Sequence, residues 1–235
     1  MRVAPKVLVL VRDAAGYGAA LADVLRPTPG LTRESAPLEL PLAKYGINGE
    51  KASGELVNFS DSSGTPQVSF FILPDYKPPV AACAMNEILA LVSSEACSTQ
   101  PTLIVPFITR SANYYHGAKT GQLATLHGAE IGATEFTQML VDGTTKLPQS
   151  LQVRSEPILC LLEMVRVLNI PTVILFASGG QHQGKSSTDV DLEVLQCVGD
   201  HLARHINLEF SKETVLERGI EKSPVFQEPW RELYR

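Results

Sequence analysis

The stretch Lys6-Val-Leu-Val-Leu-Val11 decides the fold class, because every residue after the lysine is apolar. An unbroken run of β-branched residues and leucine predicts a strand that is buried on both faces of a sheet. Comparable runs follow along the chain at Gln67–Leu73 (QVSFFIL), Pro101–Ile108 (PTLIVPFI) and Pro171–Ala177 (PTVILFA). Strands of this kind need helices above and below them, so the sequence predicts an α/β fold.

Helical patterns alternate with these strands. Predicted helices run from Gly16-Tyr-Gly18 to about Leu25, over Val80–Ala96, Pro157–Leu168 and Thr188–His205, and in a shorter piece at Lys212–Arg218. Short antiparallel strands are expected within residues 31–66, with a turn at 61–66, and residues 109–150 are expected to form a long excursion with one short helix.

The chain contains no internal repeat and no long linker, so one domain is expected. We predict a single α/β domain over residues 1–222, with a largely parallel central sheet flanked by helices on both faces. The last residues, 223–235, contain two prolines, Pro224 and Pro229, and are predicted to be an extended C-terminal tail.

Composition excludes several classes of function. Hydrophobic residues make up 44% of the 235 residues and charged residues 19%, and the net charge is −5. Lysine and arginine form no cluster, which argues against binding to nucleic acid or to an anionic membrane surface. The apolar runs are too short for a membrane span or a signal peptide. Four cysteines without a CxxC pair fit a reduced, cytoplasmic protein that could also enter the nucleus.

One glycine-rich loop offers an enzymatic alternative. Gly179-Gly-Gln-His-Gln-Gly-Lys-Ser186 matches the phosphate-binding pattern G-x-x-x-x-G-K-[ST] and lies between a predicted strand and a predicted helix. In that interpretation Lys185 reaches the terminal phosphates and Ser186 ligates Mg²⁺. The loop lies late in the chain, and no apolar strand that ends in an aspartate able to hold Mg²⁺ follows it. Asp13 and Asp75 do follow strands, but both strands precede the loop, so a permuted order of elements would be required. A P-loop-type nucleotide-binding enzyme therefore remains the alternative hypothesis.

Other constellations are weaker. Cys197, His201 and His205 share one helical face and could present metal ligands, but they border an apolar stripe. Cys197 is therefore expected to belong to the core, and the two histidines to its boundary. Ser178 has no G-x-S-x-G context, and His116, His127 and His182 are scattered over loops, so a hydrolase is disfavoured. Gly16-Tyr-Gly18 lacks the third glycine of a dinucleotide fingerprint and predicts a tight turn. We therefore assign no catalytic, cofactor-binding or metal-binding residue.

The C-terminus carries a different signal. Leu233-Tyr234-Arg235 is a hydrophobic–tyrosine–any sequence that ends on a free carboxylate. Such a tail can dock end-on in a pocket, where the carboxylate meets a lysine, the tyrosine packs flat and the leucine fills a slot. Trp230 adds a third large apolar residue close by, and apolar residues clustered in this way usually have a partner.

Three segments resemble the proteasome assembly chaperone 1 family. The first is Leu103–Thr120 (LIVPFITRSANYYHGAKT) with Gly121-Gln-Leu after it, and the second is Leu159–Phe176 (LCLLEMVRVLNIPTVILF). The third is the Leu-Tyr-Arg terminus. The loop at 179–186 is not a feature of that family.

The resemblance implies a chaperone without catalytic activity or cofactor. Members of the family pair with proteasome assembly chaperone 2, and the heterodimer binds the outer face of the α-ring of the proteasome core particle. There it promotes assembly of the α-subunits and blocks premature binding of activators. The resemblance also implies that Leu233, Tyr234 and Arg235 enter a pocket between adjacent α-subunits, with Arg235 contributing its carboxylate.

Overall fold

The computed structural model describes residues 2–13, 15–47, 51–93, 100–109, 124–149, 151–179 and 187–214. Within these ranges the chain forms ten strands: β1 (Lys6–Arg12), β2 (Leu25–Pro27), β3 (Thr32–Pro41), β4 (Lys51–Ser60), β5 (Pro66–Pro74), β6 (Thr102–Thr109), β7 (Ala124–Ile131), β8 (Thr145–Lys146), β9 (Thr172–Gly179) and β10 (Leu208–Phe210). It also forms five α-helices: α1 (Tyr17–Val24), α2 (Val80–Val92), α3 (Glu135–Val141), α4 (Glu156–Leu168) and α5 (Ser187–Ile206).

The protein is a single α/β domain built on an eight-stranded sheet, with the strand order β3-β4-β5-β1-β6-β9-β7-β8. The four central strands β5, β1, β6 and β9 are parallel. Strands β3 and β4 extend one side as an antiparallel ladder, and β7 pairs antiparallel with β9 on the other side. Strands β2 and β10 form a separate antiparallel pair.

Helices cover both faces of the sheet, and each face has its own core. On the first face, α1, α3 and α5 pack on alternate residues of the strands, such as Leu8, Phe70 and Leu175. On the second face, α2 and α4 pack on the residues between them, such as Val9 and Phe71. The alternation explains why the parallel strands are continuously apolar: both sides of each strand are buried.

The predicted fold class is confirmed, and the four apolar runs form β1, β5, β6 and β9. The antiparallel strands expected within residues 31–66 are β3 and β4, and the short helix expected within 109–150 is α3. The predicted helices form α1, α2, α4 and α5; α2 ends at Val92, and residues 94–96 of its predicted range lie outside the described residues. Only residues 212–214 of the helical piece predicted at 212–218 are described, and they are helical.

The sequence prediction was wrong about part of residues 109–150. Instead of an excursion with only a helix, this segment contributes strands β7 and β8 to the main sheet. Strands β2 and β10 were also not predicted, because three residues carry no measurable alternation. The predicted tail over 223–235 lies outside the described residues.

No helix in the described ranges combines the length and apolar character that crossing a membrane requires.

Candidate functional site

The carboxyl ends of the parallel strands are the first place to look for a site. After β1 the chain turns to α1 on the first face, whereas after the neighbouring β5 it turns to α2 on the second face. Such a divergence opens a crevice beyond the strand ends, where α/β proteins bind ligands. Asp13 follows β1 and Asp75 follows β5, so two carboxylates lie at this point.

The two carboxylates have different surroundings. Burial raises the pKa of Asp13, the backbone N–H of Gly16 partly opposes this by donating to Oδ1 at 2.7 Å, and the negative charge of Asp75 adds to the rise. Oδ2 of Asp75 accepts a hydrogen bond from Nζ of Lys77 at 2.6 Å, while its Oδ1 is buried with no hydrogen-bond partner among the described residues. The raised pKa favours the protonated form of Asp13 relative to an ordinary aspartate.

A shallow cleft of about 390 Å³ opens beside these strand ends, over β3 and β4. A hydrogen-bonded ion pair joins Nη2 of Arg12 to Oε2 of Glu55 at 3.1 Å, and the Ser35 hydroxyl donates to Oε1 of Glu55 at 2.6 Å. Opposite charges are therefore paired within the cleft wall. The arrangement ties β1 to the antiparallel ladder and offers little net charge to a ligand.

The Gly16-Tyr-Gly18 segment forms a tight turn, as the sequence predicted. Gly16 precedes α1 with a φ of 80°, in the left-handed region. At Gly18 a Cβ atom would lie 1.9 Å from the carbonyl oxygen of Val11, so only glycine lets α1 pack this closely on β1. Because the space is filled by the protein's own backbone, these glycines serve packing and do not need a dinucleotide to explain them.

The glycine-rich segment lies mostly outside the described residues: Gly179 ends β9, and residues 180–186 are not among them. Helix α5 follows it, and its first two turns contain Asp189, Asp191 and Glu193. The buried Asp191 carboxylate accepts a hydrogen bond from the hydroxyl of the buried Tyr17. Acidic residues in the first turns of a helix oppose the binding of a phosphate at its N-terminus, which disfavours the nucleotide alternative.

Cys197, His201 and His205 lie on one face of α5, as predicted, and all three are half-buried, so Cys197 as well as the histidines lies at the border of the core. Nε2 of His201 donates to the carbonyl of Leu140 at 2.8 Å, because a carbonyl can only accept. Burial raises the pKa of the Cys197 thiol, with Asp200 adding to the rise, and lowers the pKa of His201. Across the described part of the chain, no three metal-ligating side chains lie close enough to hold an ion.

Ser178 and His127, the described members of the serine and histidine candidates, lie on the adjacent strands β9 and β7 and are not register partners. In the strand registers Ser178 pairs with Thr125, while His127 pairs with Phe176. Nδ1 of His127 donates to the carbonyl of Lys146 at 2.7 Å, which holds the ring at the β7–β8 edge. His116 and His182 lie outside the described residues.

Leu233, Tyr234 and Arg235 also lie outside the described residues. The chain can be followed to Thr214. Strand β10 pairs with β2 after α1, and the backbone N–H of Ser211 donates to the carbonyl of Val24 at 2.9 Å. These contacts fix the point from which the last 21 residues depart.

Sequence analysis missed one surface on the second face. Three apolar residues of α4 are exposed: Leu159, Val167 and Leu168, of which Leu168 is 52% exposed. The sequence signal was present, because apolar residues occur all around α4 and not on one side alone.

A profile of one protein family matches residues 1–235. The chain belongs to that family, which is described as a domain of unknown function (DUF7894). A search of curated proteins finds no match for this DUF7894 chain.

Solved structures share the fold at low identity. A Thermoplasma acidophilum protein with unknown function has a TM-score of 0.59 at 13% identity, over 98% of this chain and 88% of that one. Pyrococcus furiosus PbaA, an archaeal homolog of proteasome-assembly chaperone, has a TM-score of 0.51 at 12% identity, over 100% and 97%. P. furiosus PbaB, an archaeal proteasome activator, has a TM-score of 0.52 at 11% identity, over 99% and 94%. At these identities the likeness establishes the fold, which this family shares with proteasome assembly chaperone homologues.

Proposed function

We propose that the chain is a non-catalytic, cytoplasmic chaperone of proteasome assembly, of the proteasome assembly chaperone 1 type. The observation that carries the proposal is the end-to-end likeness in fold to PbaA, a homolog of a proteasome-assembly chaperone, with 100% of this chain and 97% of that chain covered. A fold alone does not determine function, so the proposal also rests on the sequence segments that resemble the family.

Two of those segments are neighbours in the centre of the sheet. Residues Leu103–Thr109 belong to β6, and Leu159–Phe176 contains most of α4 and the first part of β9. Strands β6 and β9 pair in parallel, with Leu103 beside Thr172 and Val105 beside Ile174. The described parts of these two segments are therefore two adjacent strands and the helix before the second of them, which supports a common architecture.

In the proposed mechanism the body of the protein, residues 1–222, pairs with a second chaperone and rests on the α-ring, and residues 223–235 act as its tail. Leu233 and Tyr234 enter a pocket between adjacent α-subunits, and the terminal carboxylate of Arg235 pairs with a lysine there. The 21 residues after Thr214 can span at most about 70 Å when fully extended, so a binding site distant from the body is within reach.

The tail is tested by measuring the affinity of the full chain and its variants for assembled α-rings. Tyr234→Ala and deletion of residues 233–235 should each weaken binding by roughly tenfold or more, because a tyrosine anchor buried at an interface contributes about 2 kcal/mol or more. A single glycine added after Arg235 should have a similar effect, since it displaces the carboxylate. Arg235→Lys is the matched control and should bind like the wild type.

Equal affinity of all these variants would contradict the proposed role of the tail. The circular dichroism spectrum should stay unchanged in each variant, so that a loss of binding cannot be ascribed to unfolding.

A further inference from the structure

Helices α2 and α4 pack side by side on the second face and run in the same direction. Each leads into a strand of the parallel set, α2 into β6 and α4 into β9, so both helices begin at the carboxyl edge of the sheet. Cα atoms of the two helices come within 8 Å of each other. Small side chains favour such a close approach, and α2 contains four alanines, Ala81, Ala82, Ala84 and Ala90.

Each of these two helices carries one cysteine near its start. Cys83 is the fourth residue of α2, and Cys160 is the fifth residue of α4. Both are half-buried and pack against the apolar core of the second face. The third described cysteine, Cys197, lies on α5, which packs on the first face. Cys83 and Cys160 therefore lie at the same end of one helix pair, apart from Cys197.

The electrostatics of Cys160 show that the two thiols are neighbours. Burial raises the pKa of the Cys160 thiol, and negative charges on Glu156 and on Cys83 add to the rise. Glu156 lies one turn before Cys160 on the same helix, whereas Cys83 belongs to the other helix. A charge changes the pKa of another group only when the two are close. The influence of Cys83 therefore reports that its sulfur lies near that of Cys160, across the contact between α2 and α4.

We propose that Cys83 and Cys160 form a reversible disulfide bond that locks α2 to α4 when the protein meets an oxidant. Both thiols are half-buried, so a small reagent can reach them. The bond needs Cα atoms no more than about 7 Å apart, which the close approach of the two helices permits. It joins two elements that are far apart in sequence, and such a link stabilises a fold mainly by restricting the unfolded chain.

The oxidant is a small disulfide such as glutathione disulfide, and the bond forms in two exchange steps. One protein thiol loses its proton and attacks the reagent, which gives a mixed disulfide and releases one glutathione thiol. The second protein thiol then loses its proton and attacks the protein sulfur of the mixed disulfide, which closes the protein bond and releases the second glutathione thiol. Two protein thiols are oxidised and one glutathione disulfide is reduced. Because burial disfavours the Cys160 thiolate, formation should accelerate as the pH rises above neutrality.

The bond is tested by incubating the reduced, folded full-length protein with excess glutathione disulfide, blocking the remaining thiols and measuring its mass. The wild type should lose the mass of two hydrogen atoms, and digestion should yield a peptide pair that joins Cys83 to Cys160. Cys83→Ser and Cys160→Ser should each stop at the mixed disulfide with glutathione. Cys197→Ser is the matched control and should form the bond like the wild type, because Cys197 lies on the first face.

The locking effect is tested by thermal unfolding of the oxidised and the reduced protein. Oxidation should raise the unfolding midpoint of the wild type by about 5 °C or more, and a reducing agent should reverse the rise. The midpoint of Cys83→Ser should not rise on oxidation. Should a serine variant fail to fold, peptide mapping of the oxidised wild type still decides which sulfur atoms are joined.

A wild type that stays at the mixed disulfide overturns the inference, as does a bond that forms only after a denaturant is added. Bonds that join mainly Cys97 or Cys197 also overturn it, because the reactive pair is then a different one. A Cys83–Cys160 bond without a rise in the unfolding midpoint contradicts the lock. The inference does not depend on the proposed chaperone function, since every measurement uses the isolated protein.

Discussion

Gly18 is the residue at which α1 approaches β1 most closely. Replacing Gly18 with alanine would place Cβ 1.9 Å from the Val11 carbonyl oxygen, which belongs to the backbone and cannot rotate away. We expect Gly18→Ala to lower the free energy of unfolding by about 3 kcal/mol or more, at the upper end of overpacking effects. Chemical denaturation measures this change.

Gly64→Ala is the control for Gly18→Ala. Gly64 has a φ of 76° and open space where Cβ would lie, so its replacement should cost only about 1–2 kcal/mol of conformational strain. Equal losses at the two glycines would show that the close approach of α1 and β1 does not limit stability.

His201 makes stability depend on pH. Burial lowers the pKa of His201 from the ordinary value of 6.5, the hydrogen bond to Leu140 partly opposes this, and Arg204 adds to the lowering. The unfolded chain therefore binds the proton more tightly, so the stabilisation is complete above pH 6.5 and is lost as pH falls below that value. The free energy of unfolding should decrease from pH 7 to pH 5.

His201→Gln tests this assignment because glutamine can still donate to the Leu140 carbonyl but cannot titrate. The slope of unfolding free energy against pH should become smaller in this variant. A slope should remain, since burial and the neighbouring His201 also lower the pKa of His205 in the native protein, and burial persists in the variant. An unchanged slope would rule out His201 as a source of the pH dependence.

At the scale of elements, a short polar contact joins the antiparallel ladder to α2. The Tyr45 hydroxyl donates to Oε1 of Glu87 at 2.5 Å and accepts from Nδ2 of Asn86 at 2.5 Å. Tyr45→Phe leaves Glu87 with one donor fewer in a site that is 9% exposed. We expect a loss of about 1–2 kcal/mol in unfolding free energy.

Lys44→Met separates this hydrogen bond from the ion pair to the same carboxylate. The Lys44 side chain is 54% exposed, so the ion pair is screened by water and its removal should have the smaller effect. Denaturation curves of the two variants compare the contacts directly. A larger loss for Lys44→Met than for Tyr45→Phe would contradict this order.

The elements also show what sequence patterns can predict. Strand β1 is an unbroken apolar run and helix α5 has a regular apolar stripe, so the type and approximate bounds of both follow from hydrophobicity alone. Strand β7 (ATLHGAEI) does not alternate clearly, and Gly128 at its centre weakens the pattern. That glycine is explained only by the fold, because a Cβ there would lie 2.4 Å from Oγ1 of Thr144. The crevice residues Asp13 and Asp75 likewise come together only through the pairing of β1 and β5.

At the scale of the whole molecule, charged residues make up only 19% of the chain. Both cores are apolar, as in any α/β domain, and α4 also exposes Leu159, Val167 and Leu168 on the outside.

We propose that this protein binds proteasome subunits during assembly. Affinity purification of the full-length chain from its own cells, followed by mass spectrometry, tests it most directly. The account predicts recovery of proteasome α-subunits together with a second chaperone, and a marked loss of the α-subunits when Tyr234 is replaced by alanine. Purification without any proteasome α-subunit from cells that are assembling proteasomes would contradict it.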